Sequence, residues 1–507
     1  MPVTSRLLDA LLDAVPAHAT RVVVVGEDAD ALAQSLTARD RRRMVVPVDV
    51  GHDDPPVDPG SIDAIVYADA LSRLRDPLAT IERHRPLLVR SGTVVGAFAN
   101  VQHHSVVASL LRGSLPYRRG SLIDPSSVRL FTATSAVDLF LDAGLAPEVV
   151  ARIDEPGAEA FVSAAAPLLE HLGVGTPDAR RSMSATHVVV RGDLLRDDGA
   201  DVAADAGADD LVVSFVVCVN DDAQLEANLL RSPDIAETDR HEVLEFRDCA
   251  TAADGLNAGI ERARGDLVVL VHQDVYLPKG WVRRLVAQWR RAQRAGTTVG
   301  LAGVFGVADR RVPFDAIGHV VHRERLLAHG TLPADVDGLD ELLMVVPRGT
   351  GLRADPALGW HLYGTDLALQ AHQADQRVVV LDALCHHNSL TGRVPVGYRG
   401  SERVLAQKWR ATLPIHTNLS SIGEWLLDAS GPEPSSDDHA DATEGAGATG
   451  NDGVPEAVTA LVERLRAERG ALSAELEQTR HRLASMQASP FWRARELLVR
   501  LLRRRPR

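Results

Sequence analysis

Polar side chains with chemical potential follow an apolar run in the middle of the chain. Residues 267–271 read LVVLV, and His272, Gln273 and Asp274 come directly after them. Such a run predicts a buried parallel strand, at whose end an unpaired carboxylate is costly to bury. Asp274 therefore has two interpretations. It either caps the turn before Pro278, or it holds a hard divalent cation that bridges a diphosphate.

Two further positions combine polar side chains with the ends of predicted elements. Asp366 precedes the helical pattern LALQA, at a position where an Asp favours the N-cap of a helix. His386 and His387 end an apolar strand predicted over 377–387. Ligands bind at the carboxyl ends of strands in open α/β sheets, so a histidine pair at this place is well positioned for a ligand. The alternative is a packed or surface histidine.

Bulk composition limits the classes of function. A chain of 507 residues is too long for one core, so two or three domains are expected. The net charge of -14 argues against a nucleic-acid binder. Three cysteines without metal-type spacing favour a reducing compartment. The sequence shows no secretory signal and no apolar run near the ~20 residues that span a bilayer, which predicts a cytoplasmic protein.

Two acidic segments rich in Ala and Gly divide the chain. In the domains on either side of the first, strand-like runs alternate with helical patterns, and this predicts two doubly wound α/β domains. The predicted order is a domain at 1–195, a linker at 196–210, a domain at 211–425, a disordered acidic linker at 426–455, a coiled coil at 456–488 and a basic amphipathic tail at 489–507.

The segment GLNAGIERARGDLVVLVHQDVYLPKGW resembles the central motif region of family 2-type glycosyltransferases with the GT-A fold. In that family the apolar strand ends in a DxD-type metal motif, and His272 here replaces the first Asp of that motif. The resemblance covers about residues 211–420. It implies a metal-dependent, inverting transferase of the hexosyltransferase type that moves a sugar from a nucleotide sugar to a glycan or lipid-linked acceptor in cell-surface polysaccharide assembly.

The same resemblance implies roles for individual residues. Asp366 would be the catalytic base, and Asp274 with His386 and His387 would hold a divalent cation, Mg or Mn. The donor-binding candidates are Asn220, Asp248, Asn257, His272 and Gln273. The acceptor-binding candidates are Trp360 and Tyr363, whose rings could stack on a sugar face.

The N-terminal domain resembles class I SAM-dependent methyltransferases over residues 20–150, through SIDAIVYADALSRLRDPLATIERHRPLLVRSGTVVGAFAN and LIDPSSVRLFTATSAVDLFLDAGL. The resemblance implies SAM near Gly26 and Asp49. In the family a glycine-rich loop follows the first strand and lets the backbone approach the cofactor. Here three acidic residues lie within four positions of Gly26. We therefore favour a methyltransferase-like fold with impaired or absent activity over a working enzyme.

The C-terminal segments predict partners. A heptad register from Val458 favours a coiled coil and a homo-oligomer, with a single solvated helix as the alternative. After Pro490, an Arg-rich amphipathic pattern with Phe491 and Trp492 predicts binding to an anionic membrane, at the inner face of the plasma membrane, with nucleic acid as the rival partner. Two other functions stay open: a bifunctional methyltransferase–glycosyltransferase, and a non-catalytic membrane scaffold with degenerate domains.

Overall fold

A computed structural model describes residues 5–49, 55–172, 174–195, 211–294, 296, 298–389 and 397–427. The described residues fall into an N-terminal half, 5–195, and a C-terminal half, 211–427, which belong to one compact unit. The predicted linkers, the coiled coil and the basic tail lie almost entirely outside these ranges. Among the helices described, none has the length and apolar character that crossing a membrane requires.

The N-terminal half is built on a six-stranded sheet with the order β2-β1-β3-β4-β6-β5. Its strands are β1 (Arg21–Val25), β2 (Met44–Val48), β3 (Ile62–Tyr67), β4 (Leu88–Ala99), β5 (Leu145–Asp154) and β6 (Ala185–Leu194). Its helices are α1 (Ser5–Ala14), α2 (Ala29–Arg39), α3 (Pro77–His84), α4 (His104–Leu111), α5 (Ala133–Asp142), α6 (Ala158–His171) and α7 (Thr176–Ser184). The first four strands pair in parallel, and β6 runs antiparallel between β4 and β5.

Alternating burial explains why β1 is an unbroken run of Val. Successive side chains of a strand point to opposite faces of the sheet. Val23 and Val25 pack into the core on one face, and Val22 and Val24 pack into the core on the other. Because helices cover both faces, every position after Arg21 is apolar. The predicted doubly wound α/β architecture is confirmed here.

The C-terminal half contains a seven-stranded sheet with the order β15-β18-β11-β17-β9-β7-β8 and a smaller sheet with the order β10-β19-β13-β12-β16, to which β14 is added beside β13. Both sheets mix parallel and antiparallel pairs. The strands are β7 (Val213–Val219), β8 (Glu242–Arg247), β9 (Leu267–Val271), β10 (Val275–Tyr276), β11 (Val299–Gly303), β12 (Phe305–Val307), β13 (Ala316–His322), β14 (Arg325–His329), β15 (Ala334–Asp335), β16 (Gly338–Leu339), β17 (Leu343–Pro347), β18 (Arg377–Val380) and β19 (His386–His387).

Helices again cover the large sheet, and two apolar cores lie on its two faces. The helices are α8 (Asp222–Ala227), α9 (Pro233–Ala236), α10 (Ala252–Arg262), α11 (Trp281–Arg294), α12 (Tyr363–Gln373) and α13 (Tyr398–Lys408), and a last two-stranded sheet pairs β20 (Ile415–His416) with β21 (Ser421–Ile422). Helix α10 approaches β7 so closely that a Cβ at Gly259 would lie 2.2 Å from a methyl carbon of Val216.

One predicted strand is confirmed in extent, and another is wrong. The apolar run 267–271 forms β9, but the chain turns at His272, so Asp274 lies in a turn before β10 and not on the strand. The strand predicted over 377–387 is two strands, β18 in the large sheet and β19 in the small one. The break lies at Asp382, where the chain leaves one sheet for the other.

Helix α5 of the N-terminal half packs against the small sheet of the C-terminal half. Val137 and Leu141 of this helix form one apolar cluster with Val321 and Leu384. Beside the cluster, the buried carboxylate of Asp138 contacts one imidazole and one guanidinium group of the C-terminal half. The contact therefore combines apolar burial with directional polar bonds.

Asp138 Oδ1 lies 2.8 Å from Nδ1 of His386, and its other oxygen pairs with Arg231. Asp142, one helical turn later, accepts a hydrogen bond from the Tyr276 hydroxyl at 2.8 Å. The guanidinium of Arg231 also stacks over the Tyr276 ring, 4.1 Å from its centroid. Helix α5 thus holds both strands of the β10–β19 pair.

Asp138→Ala should destabilise the protein by about 3 kcal/mol, because it leaves His386 and Arg231 without their buried carboxylate. Urea denaturation measures the change. Glu82→Ala is the matched control, since Glu82 pairs with Lys279 between the halves but at the surface, and it should cost less than about 1 kcal/mol. Equal effects of the two substitutions would contradict the special role of Asp138.

Candidate functional site

Three of the predicted site residues come together at one place. His272, Asp274 and His387 each offer a ligand atom, and these atoms all lie within 4.8 Å of one another. Oδ1 of Asp274 is 3.4 Å from Nε2 of His387 and 3.9 Å from Nδ1 of His272. This group, called the His-Asp-His cluster below, is partly buried at the end of β9.

A pair of two-residue strands brings the cluster together. Strands β10 and β19 are antiparallel, so that Val275 lies opposite His387 and Tyr276 opposite His386. A backbone hydrogen bond of 2.8 Å from Asn388 N to the Asp274 carbonyl continues the pairing. His387 reaches Asp274 because their neighbours in sequence are bonded across the two strands.

Electrostatics favour the ionised form of Asp274. Burial alone would raise the pKa of Asp274, but the imidazoles of His387 and His272 outweigh this effect and lower the pKa well below its ordinary value. His322 orients the ring of His387 through the nitrogen that does not face Asp274, because the Nδ1 atoms of the two histidines lie 3.4 Å apart. Burial, together with the charge of His387, lowers the pKa of His322 to about 4, so His322 stays neutral at pH 7.

A neutral His322 can accept the Nδ1–H of His387, whose Nε2 faces Asp274. Burial alone would lower the pKa of His387, but the carboxylate of Asp274 outweighs this effect and raises it, so a cation bound here would take the place of the Nε2 proton. Bonding of the second ring nitrogen commonly fixes the tautomer of a metal-binding histidine. Oδ1 of Asp274 is buried and has no hydrogen-bond partner among the described residues. An unsatisfied carboxylate oxygen between two imidazoles fits a divalent cation, and two nitrogen ligands suit Mn better than Mg.

His386 was predicted to hold the cation together with His387, but it lies outside the cluster. It is fully buried, with Nδ1 on Asp138 and Nε2 on the carbonyl oxygen of Arg323. Both ring nitrogens are therefore occupied by protein. Because adjacent residues of a strand face opposite sides, His387 faces the cluster while His386 faces the N-terminal half.

The predicted donor-binding residues divide into two groups. Gln273 joins strand ends, since its Oε1 accepts from the backbone N–H of Asn220 at 3.0 Å and its Nε2 donates to the Asn220 side chain. Asn257 is bonded through both amide atoms to the backbone of Ala354. Asp248 is exposed just after β8, in a left-handed conformation with φ of 57°. Gln273 and Asn257 thus have structural partners, and Asp248 faces solvent.

Asp366 lies in the first turn of α12 and is fully buried. Its oxygens accept from the side chains of Gln370 at 2.7 Å, Trp409 at 2.7 Å and Lys408 at 2.9 Å. It does not act as the N-cap, which is Leu362. A carboxylate with this many donors is held in one position by them.

The two predicted acceptor residues differ in exposure. Tyr363 is buried, and its hydroxyl lies 3.1 Å from Nε2 of His272, so it positions a member of the cluster. Trp360 is 43% exposed and makes no such contact with the cluster among the described residues. Of the two rings, Trp360 is the one that a sugar could reach.

Sequence reasoning missed an acidic pair, Asp340 and Glu341, which precedes β17. Glu341 accepts a hydrogen bond from the backbone N–H of Gly364 at 3.3 Å, next to Tyr363. Burial, together with the nearby charge of Asp340, raises the pKa of Glu341 to about 8. The sequence contains a pattern that could have identified this pair. Two acidic residues directly precede the apolar run LLMVV, just as HQD directly follows the apolar run LVVLV.

The residues predicted to bind SAM do not form an open cradle. A Cβ at Gly26, where φ is +156°, would lie 2.8 Å from the Ala68 carbonyl oxygen, so the turn after β1 packs directly on the segment after β3. Glu27 and Asp69 both pair with Arg73 across this contact. Asp49 is exposed at the end of β2. Acidic side chains at this turn do not fit the carboxylate end of SAM.

The C-terminal half is similar to a known family. Residues 214–399 match the family model described as "Glycosyltransferase like family". The match contains the whole His-Asp-His cluster and both Asp366 and Glu341. It supports a transferase, and the resemblance found in the sequence is confirmed for this half.

One curated relative, "ATP synthase subunits region ORF 6" of Fuscovulum blasticum, is 28% identical over 162 residues, which is 31% of this chain. The chain spans 64% of that relative's length. Among solved structures, SAM-dependent methyltransferases from Archaeoglobus fulgidus and Aquifex aeolicus are similar at 10% and 11% identity. They cover 37% and 38% of this chain and 90% and 94% of their own, with TM-scores of 0.25 and 0.24.

Asp274→Asn should weaken Mn²⁺ binding at least tenfold, because it removes the only carboxylate of the His-Asp-His cluster. Isothermal titration of the full chain with MnCl₂ measures the affinity. Asp382→Asn is the matched control, since Asp382 also lies 3.4 Å from a histidine nitrogen, that of His319, but outside the cluster. Unchanged Mn²⁺ affinity in Asp274→Asn would show that the cluster is not the metal site.

Proposed function

We propose that the C-terminal half is a metal-dependent, inverting glycosyltransferase that moves a sugar from a nucleotide sugar to a glycan or lipid-linked acceptor. The observation that carries the proposal is the buried, unpartnered Oδ1 of Asp274 between His272 and His387, inside the segment that matches the glycosyltransferase-like family. When bound there, a divalent cation would neutralise the charge of the departing nucleoside diphosphate.

The protein side chains supply orientation around that position. His322 and Tyr363 each contact one histidine of the cluster and fix its ring. Gln273 ties the turn after β9 to the end of β7, so the two strand ends that would face a nucleotide keep a constant distance. The exposed Asp248, at the end of β8, is the remaining donor-binding candidate and would contact the nucleoside.

For the acceptor we propose a base different from the one that the sequence favoured. Transfer requires a carboxylate that takes the proton of the acceptor hydroxyl, and a base works best with a pKa near the working pH. Glu341 meets this requirement, because burial raises its pKa to about 8 and it is partly exposed beside Tyr363. Asp366, enclosed by Lys408 and Trp409, would instead fix the start of α12.

We propose that the N-terminal half does not transfer methyl groups. The Glu27–Arg73–Asp69 contacts close the turn where a cofactor would bind, and helix α5 supports the β10–β19 pair. Its contribution to the reaction is therefore structural support of the strands that carry Asp274 and His387. A working bifunctional enzyme would require SAM to open that turn.

The full chain with Mn²⁺ should release nucleoside diphosphate from at least one donor in a panel of UDP-, GDP- and dTDP-sugars, and EDTA should stop the release. Asp274→Asn should lower kcat/KM at least about 100-fold, because the leaving group loses its electrostatic partner. Asp382→Asn should keep the wild-type rate. Release that persists in EDTA, or equally in Asp274→Asn, would contradict a metal-dependent transferase.

Glu341→Gln should lower kcat by about 10²–10⁴-fold while donor affinity is kept, since Gln can still accept from Gly364 but cannot take a proton. Because the base works only when ionised, the wild-type rate should rise with pH until about 8 and then level off. The residual activity of the variant should lack this rise.

Asp366→Asn serves as the comparison, because it should mainly lower thermal stability by removing the charge that pairs with Lys408. The opposite result would identify Asp366 as the base. In that case Glu341→Gln would keep wild-type turnover, while Asp366→Asn would be inactive and would have the wild-type melting temperature.

A further inference from the structure

A cavity of about 340 Å³ lies in the N-terminal half, apart from every residue of the proposed transferase site. It is found where β4 ends and β6 begins, since Ala99 pairs with His187 in the register of these two strands. Its polar lining includes His103, Ser105, Arg118, Glu155, Thr186 and His187.

His103 presents a hydrogen-bond donor that has no partner. The residue is 3% exposed, and its Nδ1 lies 2.8 Å from Oγ of Ser105 and 3.4 Å from the backbone N of the same residue. The backbone N–H can only donate to Nδ1, and the Ser105 hydroxyl can donate to it as well, so we assign the proton of the neutral ring to Nε2. Burial lowers the pKa of His103, which keeps the ring neutral at pH 7. Among the described residues, no atom bonds to this buried Nε2.

His187 presents the complementary acceptor. The hydroxyl of Thr186 donates to the Ile153 carbonyl oxygen at 2.8 Å, so it accepts from Nδ1 of His187, 3.2 Å away. Burial lowers the pKa of His187 to about 4, and its neutral ring therefore has a bare Nε2. The inner end of the cavity thus offers one donor and one acceptor and carries no net charge.

The mouth of the cavity has a different character. Arg118 and Glu155 are exposed there and have opposite charges, so neither an anion nor a cation is favoured overall. Tyr117 is 54% exposed and stands in sequence between two residues that line the cavity. An exposed aromatic ring beside a neutral polar cavity suits the C–H face of a sugar.

We propose that this cavity binds a neutral saccharide, with ring hydroxyls accepting from His103 Nε2–H and donating to His187 Nε2. A hydroxyl both donates and accepts, so adjacent hydroxyls satisfy this pair of imidazoles without any change of charge. An isolated ionic ligand would meet no fixed opposite charge at the inner end. The proposal does not rest on the transferase function, because no lining residue belongs to the C-terminal half.

Saturation-transfer NMR on the full chain tests the proposal, with methyl glycosides of glucose, galactose, mannose, rhamnose and N-acetylglucosamine as probes and no metal added. At least one probe should give a saturable signal. His103→Ala and His187→Ala should each weaken its binding at least tenfold, and Thr186→Val, which keeps the shape but frees the His187 tautomer, should weaken it less.

Asp274→Asn is the control and should bind the same probe as the wild type does. Several results would overturn the assignment: no signal from any probe, equal signals in all variants, or displacement of the probe by SAM, which would assign the cavity to a cofactor. If His103→Ala does not fold, His187→Ala and Thr186→Val decide the question alone.

Discussion

The candidate site depends on the pairing of two strands that are only two residues long. Strand β10 carries Tyr276 and follows Asp274, and β19 consists of His386 and His387. A pair this short has little stability of its own, because an isolated two-stranded ribbon is marginal in water. The small sheet secures β19 on one side, where it pairs with β13, and helix α5 secures the outer face.

The two histidines show how one strand serves two purposes. His386 and His387 are chemically identical and adjacent, yet one is locked between Asp138 and a backbone carbonyl while the other faces Asp274. Sequence alone could not assign them, because the assignment depends on which face of β19 meets α5. The face is determined by the contact between His386 and Asp138, which are about 250 residues apart in the chain, and no local sequence pattern predicts such a contact.

Local apolar patterns predicted most of the fold. The runs of Val in β1, β7 and β9 identified strands buried on both faces, and the alternation with helical patterns identified the α/β class. Patterns failed where an apolar run continued through a change of sheet, as between β18 and β19. Asp274 was recognised because a carboxylate beside a buried strand is unusual. Asp366 has an equally unusual position in the sequence. Its partners Lys408 and Trp409 lie some 40 residues later, so no local pattern predicts these contacts.

The apolar cluster beneath helix α5 has a consequence for modularity. Val321 and Leu384 are covered by Val137 and Leu141, so the C-terminal half on its own would expose an apolar face next to an uncompensated Arg231 and His386. The two halves are therefore not interchangeable units that happen to share a chain. Recombination that exchanged one half would also have to exchange the surface of the other, and the pair is expected to be inherited together.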